Sequence, residues 1–258
     1  MLGLLIGACA LLGLAVGSFL NVVIYRVPRD ESVVSPRSHC PSCGTPIKER
    51  DNIPVVSWLV LRGRCRQCGV AISPRYLVVE LAGGALFAGA ATRLGFNWDL
   101  PAFLAFLAGL LALACVDLER LLLPKKIVYS TLVIVAALLL LAALVTGEWD
   151  RLVVAVICSL SWFALFFLMN FASPRILGFG DVRLALVLGL GLGWLGWRYA
   201  LLGFFAANLL GAVIGLTLIG LKKISREQPV PYGVFLAAGA AFAVFAGPEI
   251  VPLLHALH

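Results

Sequence analysis

Two groups of residues in this sequence are able to carry chemistry: four cysteines in two close pairs, and two aspartates at the ends of apolar stretches. Cys40-Pro41-Ser42-Cys43 and Cys65-Arg66-Gln67-Cys68 are separated by 21 residues. A Cys-x-x-Cys turn puts two thiolates on one side of a knuckle, and two knuckles supply a tetrahedral set for zinc. Gly44 and Gly69 each follow a pair directly, where glycine permits the left-handed backbone that tight knuckles need. Four thiolates leave no open coordination position, so the metal expected on Cys40, Cys43, Cys65 and Cys68 is structural. Two disulfides and a redox Cys-x-x-Cys centre are the alternatives. Cys9, Cys115 and Cys158 lie in apolar stretches, where packing accounts for them.

Asp117 closes one apolar stretch, in Ala114-Cys115-Val116-Asp117-Leu118-Glu119-Arg120, and Asp181 stands in Gly178-Phe179-Gly180-Asp181-Val182-Arg183. An ionisable group beside hydrocarbon is costly and marks a functional site by default. Two carboxylates that share a site divide general acid and general base work, one protonated and the other ionised. The ionised one takes a proton from water; the protonated one polarises a peptide carbonyl or protonates the leaving amine. Such chemistry needs neither a nucleophilic side chain nor a metal. The bland alternatives are an Asp117–Arg120 pair at i+3 and an Asp181 that caps a helix starting at Val182.

The elements that must position these groups follow from composition. The chain has 258 residues, of which 62% are hydrophobic and 13% charged, with a mean hydropathy of +1.03. Soluble domains are about 45–50% apolar and about 25% charged, so a soluble enzyme, a disordered chain and a fibrous chain are excluded. Apolar stretches of helix-spanning length run over Leu2–Tyr25, Tyr76–Thr92, Leu100–Val116, Ile127–Thr146, Leu152–Ala172, Tyr199–Leu221 and Val234–Leu254. Leu184–Trp197 is an eighth, shorter stretch of 14 residues. In lipid the backbone must satisfy itself internally, which makes these stretches helices.

The basic residues set the orientation. Residues 26–75 hold nine of the 20, and the following loops hold Arg93; Arg120, Lys125 and Lys126; Arg151; Arg175 and Arg183; Arg198; and Lys222, Lys223 and Arg226. Lys and Arg concentrate in cytoplasmic loops, and the strict alternation supports eight spans. Both termini are then outside and residues 26–75 cytoplasmic. A reducing cytoplasm argues against disulfides. The net charge of +7 thus reports topology, with no nucleic-acid partner implied. No basic residue precedes the first span, so Leu2–Tyr25 reads as a retained helix and not a secretory signal. The expected organisation is a first transmembrane helix (1–25), a zinc-ribbon-like cytoplasmic insert (26–75) and a seven-helix membrane domain (76–258).

Taken together, these residues resemble the bacterial type IV prepilin peptidases, membrane aspartic proteases of the Gly-x-Gly-Asp type. The resemblance begins at Gly17-Ser18-Phe19-Leu20-Asn21 and continues through both cysteine pairs, Asp51–Leu59, Ile72–Tyr76 and Glu80. It then takes in Asp117, Leu123-Pro124, Gly178–Arg183 and Val230-Pro231-Tyr232-Gly233, so it runs from about residue 17 to 240 in matching order. Arg183 stands where the family usually has Lys, Val234 where it often has Pro, and Lys125-Lys126 where an acidic residue or Asn is common.

The resemblance implies a leader peptidase acting on type IV prepilins and pseudopilins, with Asp117 and Asp181 as the catalytic dyad. The bond cleaved would lie after a Gly at the cytoplasmic membrane face. It also implies N-methylation of the new terminal residue with S-adenosylmethionine, for which Asn52, Arg64 and Glu80 are candidate residues. The residues alone leave two other readings: a Gly-x-Gly-Asp protease cutting inside membrane helices, and a transporter with a zinc-binding regulatory loop. The implied location is the bacterial cytoplasmic membrane, with the lipid bilayer as a partner.

Overall fold

The computed structural model describes residues 1–173, 177–223 and 230–253. The basic residues Arg175 and Arg226 and the last residue of the final apolar stretch, Leu254, lie outside them. Among the described residues the protein is all-helical, without strands. The helices are α1 (Leu2–Arg26), α2 (Val56–Val60), α3 (Arg75–Leu94), α4 (Leu100–Arg120), α5 (Lys125–Thr146), α6 (Trp149–Ala172), α7 (Phe179–Leu195), α8 (Trp197–Gly220) and α9 (Tyr232–Leu253). Seven of them, all but α2 and α7, are long and apolar enough to cross a membrane. The chain forms two compact units, Met1–Phe96 and Asn97–His258.

In the first unit α1 packs along α3. Neither helix has a polar stripe to match, and the contact rests on small residues. A methyl group placed on Gly13 would lie 2.3 Å from the Gly83 carbonyl oxygen, and one on Gly17 2.8 Å from the Glu80 Cα. Such spacing lets backbones approach closely where lipid provides no hydrophobic drive for helix association. Asn21 ties the same pair together by donating to the Tyr76 carbonyl at 3.1 Å. Between the helices lies the polar segment. Its start is pinned by the buried Arg26, which donates to the carbonyls of Ser32 at 2.9 Å and Pro36 at 2.8 Å.

In the second unit α7 is the inner helix. It packs along α6 and touches α4, α5, α8 and α9. The 14-residue stretch expected at Leu184–Trp197 is in fact this 17-residue helix, about 25 Å long. It starts five residues earlier because Asp181 and Arg183, which interrupt the apolar run, sit within its first turns. It stops at Leu195 because Gly196 adopts a φ of 129° that no helix continues. Twelve of its residues are buried, so its neighbours, and not lipid, meet most of its surface. Close approach again depends on missing side chains. A Cβ on Gly189 would lie 2.6 Å from the Cys158 carbonyl oxygen, and one on Gly193 2.7 Å from the Cys158 Cβ.

Candidate active site and metal centre

The two aspartates meet at one end of the second unit, each delivered by a different helix end. Helix α4 terminates after Arg120 because Leu121 turns left-handed (φ 53°), its N–H closing on the Asp117 carbonyl at 2.8 Å. This leaves Asp117 in the last helical turn, 5% exposed. Helix α7 starts after Gly178, whose extended backbone (ψ 147°) is the N-cap. Asp181 is the third helical residue, 9% exposed, where the free N–H groups and helix dipole favour a carboxylate. It is therefore not the N-cap of a helix starting at Val182. The Asp117 and Asp181 carboxylates lie within electrostatic reach of each other.

A third helix end completes the arrangement. The Val234 N–H, in the first turn of α9, donates to Asp117 Oδ2 at 3.3 Å. Gly233 leaves the room: a Cβ there would lie 2.9 Å from the same oxygen. The buried Leu123, from the loop after α4, wedges between α7 and α9. It would lie 3.0 Å from a Cβ on Gly180 and 3.0 Å from one on Gly233. Tyr232 donates to Asn208 Oδ1 at 3.2 Å and stacks on Phe166 with ring centroids 6.5 Å apart, anchoring the start of α9 to α8 and α6. Asn170 donates to the Leu177 carbonyl at 2.6 Å, fixing the backbone just before Gly178. Sequence reasoning gave Asn170 and Asn208 no place at the site. Their signal was a lone amide in an otherwise apolar run. Arg183 stacks over the Phe179 ring at 4.7 Å, a geometry that suits a planar guanidinium.

The four paired cysteines of the first unit converge. Their Sγ atoms all lie within 4.8 Å of one another, and Cys40 and Cys68 are 3.8 Å apart. Four sulfurs about 2.3 Å from a tetrahedral zinc would be about 3.8 Å apart, so the set is able to hold a metal ion. All seven cysteines are free thiols. Each knuckle is built the same way. The Cys40 N–H donates to the Thr45 carbonyl at 3.0 Å and the Gly44 N–H to the Cys40 carbonyl at 2.8 Å. In the second, Cys65 pairs with Val70 at 2.8 Å and Gly69 with Cys65 at 2.9 Å. Gly44 and Gly69 take φ of 70° and 72°, the left-handed backbone for which glycine is suited. Single β-bridges, His39–Pro46 and Arg64–Ala71, close the two turns. The segment thus contains a short structural repeat that the dissimilar residues between its cysteines conceal. Hydrogen bonding to Thr45 pulls the Cys43 thiol down to about 6, while burial and the neighbouring cysteines push Cys68 up to about 11, so the thiols titrate as one set.

The remaining candidates in this unit separate. Glu80 is buried, and its Oε2 accepts the Val55 N–H at 2.7 Å. Val55 holds the strained φ of 63°, so Glu80 steadies a turn its own helix does not contain. Ser57 braces the same turn, accepting from the Ile53 N–H at 3.0 Å and donating to the Arg50 carbonyl at 3.1 Å. Asn52 and Arg64 are exposed. Arg66 grips Asp51 through both carboxylate oxygens, at 2.7 to 3.1 Å. That guanidinium holds the Asp51 carboxyl below the usual range. The tie therefore contributes above ordinary carboxylate pH and is lost as pH falls.

Comparison with known proteins covers both units. The Bacterial Peptidase A24 N-terminal domain matches residues 11–94, and the Type IV leader peptidase family matches residues 104–216. A prepilin leader peptidase/N-methyltransferase of Stutzerimonas stutzeri is 35% identical over 270 residues, covering 94% of this chain and 91% of the relative. The protein of the same name from Pseudomonas aeruginosa is 34% identical, covering 93% and 90%. One from Myxococcus xanthus is 41% identical over 214 residues, covering 81% of this chain and 61% of the relative. No solved structure matches the chain at comparable significance. With relatives aligned over nine-tenths of their length and both matched regions in order, the chain belongs to the type IV leader peptidase family.

Proposed function

We propose that this protein is a membrane aspartic endopeptidase that removes the leader of type IV prepilins and pseudopilins after a Gly at the cytoplasmic membrane face. The observation that carries the reading is the delivery of Asp117 and Asp181 by two helix ends to the same end of one unit, where Leu123 lies against both Gly180 and Gly233 and the Val234 N–H of a third helix meets Asp117. In this reaction the ionised carboxylate takes a proton from a water molecule. The oxygen of that water adds to the scissile carbonyl carbon, while the protonated carboxylic acid donates a hydrogen bond to the carbonyl oxygen. As the tetrahedral centre collapses, the C–N bond breaks and a proton passes to the leaving amine. The two residues act as a coupled pair. Both lie at helix ends and not at mid-helix, which suits a substrate with an apolar helix and a cytoplasmic leader better than cleavage inside a membrane helix.

The same reading makes the protein a multi-pass component of the bacterial cytoplasmic membrane, with both termini outside and residues 26–75 inside. Cys40, Cys43, Cys65 and Cys68 would hold one structural zinc that clamps the two knuckles. The relatives' name couples peptidase and N-methyltransferase, and we extend both activities to this chain. S-adenosylmethionine supplies an electrophilic methyl group on a cationic sulfur. Of the three candidates, Asn52 and Arg64 remain as exposed hydrogen-bonding groups proposed to meet it, while Glu80 is buried and taken up by the Val55 N–H. Incubating the purified protein with a prepilin and a labelled methyl donor tests the reading. A shortened, labelled pilin is expected. Intact prepilin would contradict the peptidase reading, and a shortened but unlabelled product the methyltransferase reading.

A further inference from the structure

A second polar site lies at the other end of the Asn97–His258 unit. Asp99, at the start of α4, is about 27 Å from Asp117 along the helix. A cavity of about 120 Å³ opens beside it, walled by Trp98, Asp99, Thr146, Glu148, Arg151 and Trp194 among others. Asp99 is only 7% exposed. One of its oxygens accepts the Trp194 indole N–H at 3.2 Å. The other, Oδ1, is buried without a hydrogen-bond partner. A buried carboxylate left half-satisfied is costly unless a cation or donor meets it. The other charges in the wall do not: Arg151 is paired with Glu148 at 3.2 Å on the exposed rim.

We propose that this cavity receives the headgroup of a phospholipid that carries a primary ammonium, such as phosphatidylethanolamine. The ammonium offers N–H donors to Asp99, and the exposed indole of Trp98 offers a face to its charge. The phosphate, two carbons away in the same headgroup, falls to the guanidinium of Arg151 at the rim. On the measure by which one water needs about 10–15 Å³, a cavity of about 120 Å³ has room for the ammonium end of the headgroup. Depth agrees with a lipid ligand. Trp98, Trp149 and Trp197 are exposed at the starts of α4, α6 and α8, and such indoles sit at headgroup level. A bare divalent ion would ask for about six to eight oxygens, whereas the oxygens of this wall, from Asn97, Asp99, Thr146 and Glu148, are partly taken by Trp194 and Arg151. A choline headgroup has no N–H to give.

The test is native mass spectrometry of the full-length protein in detergent, titrated with phosphatidylethanolamine or phosphatidylcholine of equal chain length. The wild type is expected to retain one phosphatidylethanolamine at least about tenfold more tightly, the worth of one charge-assisted hydrogen bond. Asp99→Asn keeps an acceptor for Trp194 but removes the charge, and should abolish the preference while leaving prepilin cleavage unchanged. Should that variant fail to insert, Arg151→Gln on the exposed rim should lower phosphatidylethanolamine affinity several-fold. Equal retention of both lipids by the wild type would overturn the proposal. So would a preference that survives Asp99→Asn, a phosphatidylethanolamine affinity unchanged in Arg151→Gln, or competition by free ethanolamine or calcium at equal concentration.

Discussion

Asp117 and Asp181 differ in what surrounds them, although both are buried acids at helix ends. Asp117 accepts an N–H from another helix, whereas Asp181 stands in the first turn of its own helix, where the helix dipole favours a carboxylate. Gly233 makes the first arrangement possible, since any side chain there enters the space of the Asp117 carboxylate. Gly233→Ala should therefore lower kcat for prepilin cleavage by about 10²-fold, the scale of a misplacement near 1 Å, with KM changed far less. Steady-state kinetics on a purified prepilin would check this, and an unchanged kcat would mean that the carboxylate has room to spare. Both aspartates were legible in the sequence as acids beside hydrocarbon. The Val234 N–H was not, because a backbone donor has no letter of its own. Asn170 and Asn208 were passed over because a neutral amide in an apolar run costs little enough to draw no attention.

Among the elements, the long helices were legible because each apolar run exceeds a turn or strand by a wide margin. Helix α7 was misjudged at both ends. Its first turns carry Asp181, expected at the helix start, and Arg183, expected in the preceding loop, and Gly196 ends it before Trp197. Its fit against α6 rests on Gly189 and Gly193. Gly189→Leu should destabilise the protein by about 1–3 kcal/mol, the usual cost of overpacking, seen as a lower Tm in detergent. The cysteine knuckles were legible from spacing, while their shared hydrogen-bond pattern was not. One zinc per chain is expected by metal analysis, with loss of the metal in Cys40→Ser. Zinc bound at a site of this kind contributes folding energy, so the segment of that variant should become sensitive to protease. Full metal content in Cys40→Ser would show that the four thiolates do not act as one set.

For the whole molecule, charge and apolar content are two records of one arrangement. All but three of the 20 basic residues fall on alternate loops, and those loops are the ones that bear the paired cysteines and lie beside both aspartates. An accessibility tag within residues 26–75 should be protected in intact cells and react only after the membrane is opened. The proposed orientation rests on charge counts, which the sequence alone supplies. The meeting of α4, α7 and α9 does not, because helices in lipid associate through small residues whose partners no periodicity names. The most direct measurement is prepilin processing by purified Asp117→Asn and Asp181→Asn, each first shown to be inserted and to carry the same metal as wild type. A coupled dyad predicts that both variants lose cleavage entirely, neither retaining a partial rate. Near wild-type processing by either one would contradict it.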